Sequence, residues 1–496
     1  MQPFINIDLG GPAQPLLKVN HLLKYFRGGK GREVVQAVDD ISFTVMKGET
    51  LGVVGESGCG KSQTLRSILG LLKQPGRITG GEIRYKGADI AKMSQRELQK
   101  IRGKEISMIF QEPMTALNPV LRIRSQMYEA FEGEKLTAVG PMEALPAGAE
   151  GPVLDAEGGH ILPGFIDAHC HLGLFGDALG FEADDGNEST DPCTPQLRAV
   201  DGVNPLDRGF REAREGGVTT VLTGPGSANP IAGQFLALKT DGRWVDEMVL
   251  KAPAAMKFAL GENPKSVYND RKETPVTRMA TAAVIRENLA KAEEYREKLE
   301  RALEDEEEEK PDYDAKLEAL LPVLRGELPV HIHAHRADDI ATAVRLSREF
   351  GLKLVVVHGT EGYLVPELLA EAGVPVITGP CLTDRSKPEL ANQSLETPAI
   401  LQRHGVKTAI CTDHPETPIQ YLPLCAAMAV RGGMDPESAL ACITIRAAEL
   451  AGVAHRVGSR APGKDADLTV TSSHPLNWLS RVQLVVMDGK VVVSSL

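Results

Sequence analysis

Short apolar runs that end in histidine, aspartate or threonine recur through the last two-thirds of this 496-residue chain. The run Pro163–His171 (PGFIDAHCH) comes first. VTTVLTG, QFLALKT, AAMKFAL, PVHIHAH, LKLVVVHG, VPVITG and KTAICTD follow from Val218 onward, with helix-like stretches between them. Runs of this length bounded by glycine and proline read as buried strands. Eight of them in alternation with helices predict an α/β chain folded as a (β/α)8 barrel, whose chemistry sits at the C-terminal ends of its strands. Ala280–Leu324 breaks the rhythm. It is rich in Ala, Glu, Lys and Leu, carries the acidic run Asp305–Glu309 and contains Pro311. It predicts a solvated helical hairpin inserted over about 277–325, between strands four and five.

The strand ends hold the reactive residues. In His169-Cys170-His171, alternate side chains share a face, so the two imidazoles project together and Cys170 points away. His331, His333 and His335 share one face of the fifth run. His358 ends the sixth, and Asp413, with His414 beside it, ends the eighth. Lys257 lies in the fourth run and Glu262 follows it. Seven of the twelve histidines therefore fall at predicted strand ends, where a core histidine has no reason to gather. Imidazoles and an acid converging there suit a divalent metal ion.

A different signature stands near the start. Gly55-Glu56-Ser57-Gly58-Cys59-Gly60-Lys61-Ser62 follows a short apolar strand and opens a helix predicted over Lys61–Leu72. In that setting, backbone N–H groups cradle phosphate, Lys61 neutralises it and Ser62 can ligate magnesium. Charge divides in the same way. Met1–Phe131 has 19 basic and 12 acidic residues, a net of +7, whereas the remainder carries −19. The junction is accordingly placed near Phe131–Gly133.

Composition excludes other classes. A net charge of −12 and 4% aromatics suit neither a phosphate backbone nor base stacking, so no nucleic-acid partner is expected. No apolar stretch reaches the length of a membrane span, so direct membrane insertion is not expected. Seven cysteines without a CxxC pair point to reduced thiols and a cytoplasmic setting.

Two resemblances sharpen these readings. PGFIDAHCH, HAHRADD, VVVHGTE and TDHP, with VGSRAPGKDADLTV and VVMDGKVV near the end, are similar to motifs of the amidohydrolase superfamily, particularly its imidazolonepropionase-like members. The likeness runs from about residue 133 to the end. It implies a metal-dependent hydrolase of a small-molecule amide, cyclic amide or amine, acting through a metal-bound hydroxide. It also implies one or two divalent ions, zinc foremost. His169, His171, Lys257, His333, His358 and Asp413 fall at the ligand positions, with His335 and Glu262 as alternatives to His333 and Lys257. Asp413 would be the general acid/base and His358 a catalytic partner, while Lys257 stands where many members carry a carboxylated lysine.

GESGCGKS, LLKVNHLLKYF and MIFQEPMTALNPVLRI resemble the ATP-binding-cassette subunits of oligopeptide and dipeptide importers. This implies nucleotide contacts from Gly55, Ser57, Gly58, Gly60, Lys61, Ser62 and Gln111, and adenine stacking by Tyr25 or Phe26. The signature motif, the Asp-Glu strand end and the switch histidine are absent after Phe131. The stretch thus reads as a truncated domain able at most to bind ATP and magnesium weakly.

The organisation expected is a partial P-loop ATPase domain over 1–131, an incomplete small β-sandwich from 132–160 and 452–496, and the barrel over 161–451. A homo-oligomer could use the helical hairpin as a contact. The competing readings are a non-catalytic fusion product and an ATP-binding component related to peptide import.

Overall fold

A computed structural model describes residues 5–7, 15–26, 35–53, 60–70, 76–93, 97–98, 101, 105–106, 127–141, 154–156, 158–176, 180–305 and 307–495. The chain forms two compact units, Met1–Leu117 and Asn118–Leu496.

In the first unit, Val35–Met46, Pro15–Phe26, Gly76–Tyr85 and Ala88–Asp89 form an antiparallel sheet in that order. Val19, Leu22, Val38, Ile83 and Tyr85 from it pack with Ile68 of the helix Lys61–Ile68. That helix starts directly after Gly60, whose φ is +96°. A Cβ at Gly60 would lie 2.4 Å from the Ala37 carbonyl oxygen, so glycine is required by both torsion and space.

In the second unit, eight strands follow one another around a barrel: β1 (Phe165–Cys170), β2 (Val218–Thr223), β3 (Ile231–Lys239), β4 (Val249–Ala259), β5 (Val330–Ala334), β6 (Leu354–His358), β7 (Val376–Thr378) and β8 (Thr408–Ile410). Each corresponds to one of the apolar runs. Buried on both faces, they need no alternation of polar and apolar residues. Ile166, Leu222, Phe235, Ala255, Val355, Val357, Ile377 and Ala409 fill one core cluster, while Val330, Ile332, Val356 and Val376 join the helices in another.

One expectation needs correction. β3 runs antiparallel to both β2 and β4, so the sheet is not wholly parallel. The connections on either side of β3 are too short for a crossover helix, and the second holds only the single turn Val245–Met248. β1 and β8 meet through Asp413 N–H to the His169 carbonyl at 3.2 Å and His171 N–H to the His414 carbonyl at 2.8 Å. The seam of the barrel is therefore closed by the residues that carry its chemistry.

The inserted hairpin comprises α1 (Arg278–Glu304) and α2 (Ala315–Leu324), capped by the side chains of Thr277 and Asp314. It is more than a solvated excrescence. Ile285, Leu289 and Ala292 of α1 and Leu320 and Val323 of α2 are buried in the same cluster as β5 and β6. The outer face and the described residues of the acidic run remain exposed.

A second sheet orders Lys490–Ser494, Val482–Met487, Leu468–Thr471 and His160–Pro163. The hairpin Met127–Glu132/Lys135–Pro141 joins it through Leu136 N–H to the Lys464 carbonyl and Ala466 N–H to the Glu134 carbonyl, both 2.8 Å. Phe131 and Gly133, where the charge changes, fall inside this hairpin. Lys239 at the end of β3 reaches the sheet. Its buried ammonium meets Asp465 at 2.9 Å, Asp467 at 3.0 Å and also Asp488. Asp465 is further paired with Arg456 at 2.8 Å and with Lys135.

Candidate metal centre

Two groups of donor atoms stand at the C-terminal mouth of the barrel, where β1, β4, β5, β6 and β8 end. His169, His171 and Asp413 form the first, and His333, His335 and His358 the second. Within each group the donor atoms lie within 4.8 Å of one another. Asp413 Oδ1 is 3.5 Å from His169 Nε2 and 3.3 Å from His171 Nε2. That is the spacing two donors keep when each is about 2.1 Å from one shared ion in tetrahedral geometry. Lys257 reaches toward the first group from β4, its Nζ 3.2 Å from His169 Nε2.

The supporting hydrogen bonds fix which nitrogen faces inward. His171 donates Nδ1–H to the Gly224 carbonyl and His358 donates Nδ1–H to that of Gly379, both at 2.7 Å. His335 Nδ1 is 2.7 Å from Thr360 Oγ1. The Nε2 lone pairs of His171 and His358 are thereby presented to the cavity. His333 is buried, and neither of its ring nitrogens has a hydrogen-bond partner among the described residues. Such groups are costly to bury unless something binds them. His358 and Asp413 hold left-handed backbone torsions, with φ +72° and +54°, a strain that turns each side chain off its strand end and into the mouth.

Electrostatics match a cation site. Burial, then neighbouring positive groups, keeps His169, His333 and His335 well below the usual imidazole range, and burial brings His358 to about 4. All are neutral donors at pH 7. Burial alone would raise the Asp413 carboxyl, but His358, His171 and Lys257 outweigh it and hold Asp413 below its ordinary value. Burial lowers Lys257 to about 8. Buried lone pairs, an ionised carboxylate and unprotonated rings fit a divalent ion.

Not all of the barrel residues singled out from the sequence join the donor groups. Glu262 instead accepts from the Glu389 backbone N–H at 3.3 Å, and belongs to neither group. His331 is buried deeper on β5, also outside both groups, and burial lowers it to about 3. Arg336 and Asp338 pair with one another at the surface at 2.8 Å. In the first unit, Gly60, Lys61 and Ser62 end the phosphate loop and begin the helix. Gly55, Ser57, Gly58 and Gln111 lie outside the described residues. The Tyr25 hydroxyl donates to Asp39 at 2.7 Å.

Sequence reasoning missed three supports. Phe235 of β3 stacks on His169 with centroids 5.1 Å apart. Asp167, buried within β1, accepts from the Thr412 hydroxyl and from the His169 backbone N–H, locking the two strand ends that supply the first group. Burial raises its carboxyl to about 7. Glu389, from the loop after β7, is 2% exposed and places Oε1 3.7 Å from both His333 Nε2 and His335 Nε2. A lone acid in a loop carries no motif, and only the loop's tertiary path brings it here.

The fold and this donor set define an amidohydrolase: the chain belongs to the amidohydrolase family, whose description matches residues 160–492. The ABC transporter family description matches residues 38–160. Among solved structures, an amidohydrolase from Thermotoga maritima MSB8 is 44% identical, with a TM-score of 0.71. The match covers 74% of this chain and 94% of that one. Amidohydrolase tasK of Hapsidospora irregularis is 31% identical over 360 residues, covering 68% of this chain and 37% of the relative. The oligopeptide transport ATP-binding protein OppD of Salmonella typhimurium is 50% identical over 120 residues, 24% of this chain and 35% of the relative. The chain thus spans little more than a third of the length of these curated relatives. Among the described residues, no helix is long and apolar enough to cross a membrane.

Proposed function

We propose that the barrel is a metal-dependent hydrolase of a carbon–nitrogen bond in a small-molecule amide, cyclic amide or amine. The observation that carries this is the pair of donor groups at one barrel mouth, with Lys257 reaching into it from β4. His169, His171 and Asp413 hold one divalent ion, and His358 with His333 or His335 holds a second, zinc being the element we assign. Bound zinc would acidify water and polarise a carbonyl. Asp413, ionised in the free site, takes the proton of the attacking water and passes it to the leaving nitrogen. His358 has already committed its Nδ1–H to Gly379, so its remaining nitrogen is an acceptor and the residue acts as a ligand. Burial that brings Lys257 to about 8 puts its neutral amine within reach near neutral pH, and that form would take up carbon dioxide with loss of a proton, giving a carbamate whose oxygens could serve as further ligands.

The sequence division places the junction near 131, but the hairpin from Met127 joins the second sheet. We therefore assign the first unit, Met1–Leu117, as a truncated cassette domain that binds ATP and magnesium weakly, 127–160 and 452–496 as the small β-sandwich, and 161–451 as the barrel. The described cysteines are free thiols and suit a cytoplasmic protein. Elemental analysis combined with a screen of amides, dipeptides and imidazole-derived lactams tests the hydrolase. A metal-free chain that still turns over would overturn it. For the first unit, heat stabilisation by magnesium ATP that disappears in Lys61→Ala is the expected result, and no stabilisation contradicts it.

A further inference from the structure

We propose that Lys387 is the specificity residue of this site and that it binds a carboxylate carried by the substrate. The preferred substrates are then N-acyl amino acids or peptides with a free C-terminus rather than neutral amides. The inference rests on the hydrolase reading above and deepens it.

Lys387 lies on the loop after β7, at the same end of the barrel as the donor groups. Its Nζ is 3.0 Å from Glu389 Oε1 and 2.9 Å from Asn263 Oδ1. Asn263, in the first turn of the helix Glu262–Arg271 that follows β4, is fixed in turn by a 2.7 Å hydrogen bond to Ser227 Oγ from the loop after β2. The ammonium is thus held by Glu389 from its own loop and by Asn263, which Ser227 holds in place. The same Glu389 oxygen that touches Lys387 is 3.7 Å from the Nε2 atoms of His333 and His335, so a single carboxylate oxygen separates the lysine from the second donor group.

An ammonium has three donors, and the two acceptors here use two. The side chain retains 27% of its exposure, whereas Glu389 retains 1%, so the lysine is the wet member of the pair. Of the neighbouring carboxylates, Asp339 is taken by Arg278, with Nε 3.0 Å from both of its oxygens, and Glu262 accepts from the Glu389 backbone N–H at 3.3 Å. Lys387 is therefore a preorganised positive charge with a donor to spare, set one carboxylate oxygen away from the second donor group. A substrate carboxylate reaching it gains a charge-assisted hydrogen bond without the cost of ordering a mobile lysine.

The test uses metal-loaded full-length protein carrying Asp413→Asn, which slows turnover enough for binding to be measured. Calorimetric binding of N-acetyl-L-alanine and N-acetyl-L-leucine is compared with that of their carboxamides. The acids are expected to bind at least about tenfold more tightly. That difference should vanish in Lys387→Gln and largely return in Lys387→Arg, with metal content unchanged in each. If Lys387→Gln does not fold because Glu389 is left unpaired, Lys387→Gln/Glu389→Gln removes both charges and serves instead. Equal affinity for acids and carboxamides, or no binding of either, overturns the proposal. With Asp413 restored, the acid preference should appear in KM rather than kcat. Failure of any substrate to turn over would count against the hydrolase reading alone, because the binding comparison needs no chemistry.

Discussion

At the scale of single residues, the account gives Asp413 two duties, ligand and proton carrier, and they can be separated. Asp413→Asn keeps an oxygen donor beside His169 and His171 but cannot accept a proton. It is expected to retain metal while kcat falls by roughly 10²–10⁴-fold, as measured by elemental analysis and initial rates on one sample. His358→Ala removes an inward lone pair from the second group, and the expected result is a lower metal-to-protein ratio at unchanged secondary structure. Most of these residues were legible in the sequence, because a ligand at a strand end is marked by its place in a recurring pattern. HCH, HIHAH, VVVHG and CTD announce themselves in this way. Glu389, Lys387, Phe235 and Asp167 do not. Their roles depend on which side chain a neighbouring strand or loop delivers, and an isolated acid, lysine or phenylalanine carries no spacing signal.

Among elements, the eight strands were readable because burial on both faces leaves continuous apolar runs. The direction of β3 was not, since an antiparallel buried strand has the same composition as a parallel one. Only the shortness of its two connections betrays it. The inserted hairpin was misjudged for a related reason: the exposed acidic run dominates its composition, while the stripe Ile285, Leu289 and Ala292 is what positions it. That stripe yields a stability prediction. Leu289→Ala should cost about 2–5 kcal/mol in denaturant unfolding because it opens a cavity in the main cluster. Neutralising exposed Glu308 and Glu309 should change stability by no more than about 0.5 kcal/mol. Equal effects from the two changes would mean that the hairpin does not pack as described.

For the whole molecule, the ionic cluster around Lys239 connects the barrel to the small sheet. Burial works to raise Asp465, but Lys135, Lys239 and Arg456 outweigh it and bring its carboxyl to about 2. Its folded value lies below the ordinary 3.8 of an unfolded chain. The stabilisation is therefore complete above about pH 4 and fades as pH falls toward 2. Asp465→Asn should destabilise the second unit by about 2 kcal/mol or more near neutral pH, with the gap to the native protein closing in acid. Thermal melts across pH 2–7 measure this, and a gap independent of pH would contradict it.

Metal content of the purified native chain tests the central claim most directly. Two donor groups predict one or two tightly held divalent ions per chain, with the ratio reduced by His171→Ala and again by His358→Ala. A chain that purifies and hydrolyses substrate without bound metal, or holds the same amount after both substitutions, would contradict the account.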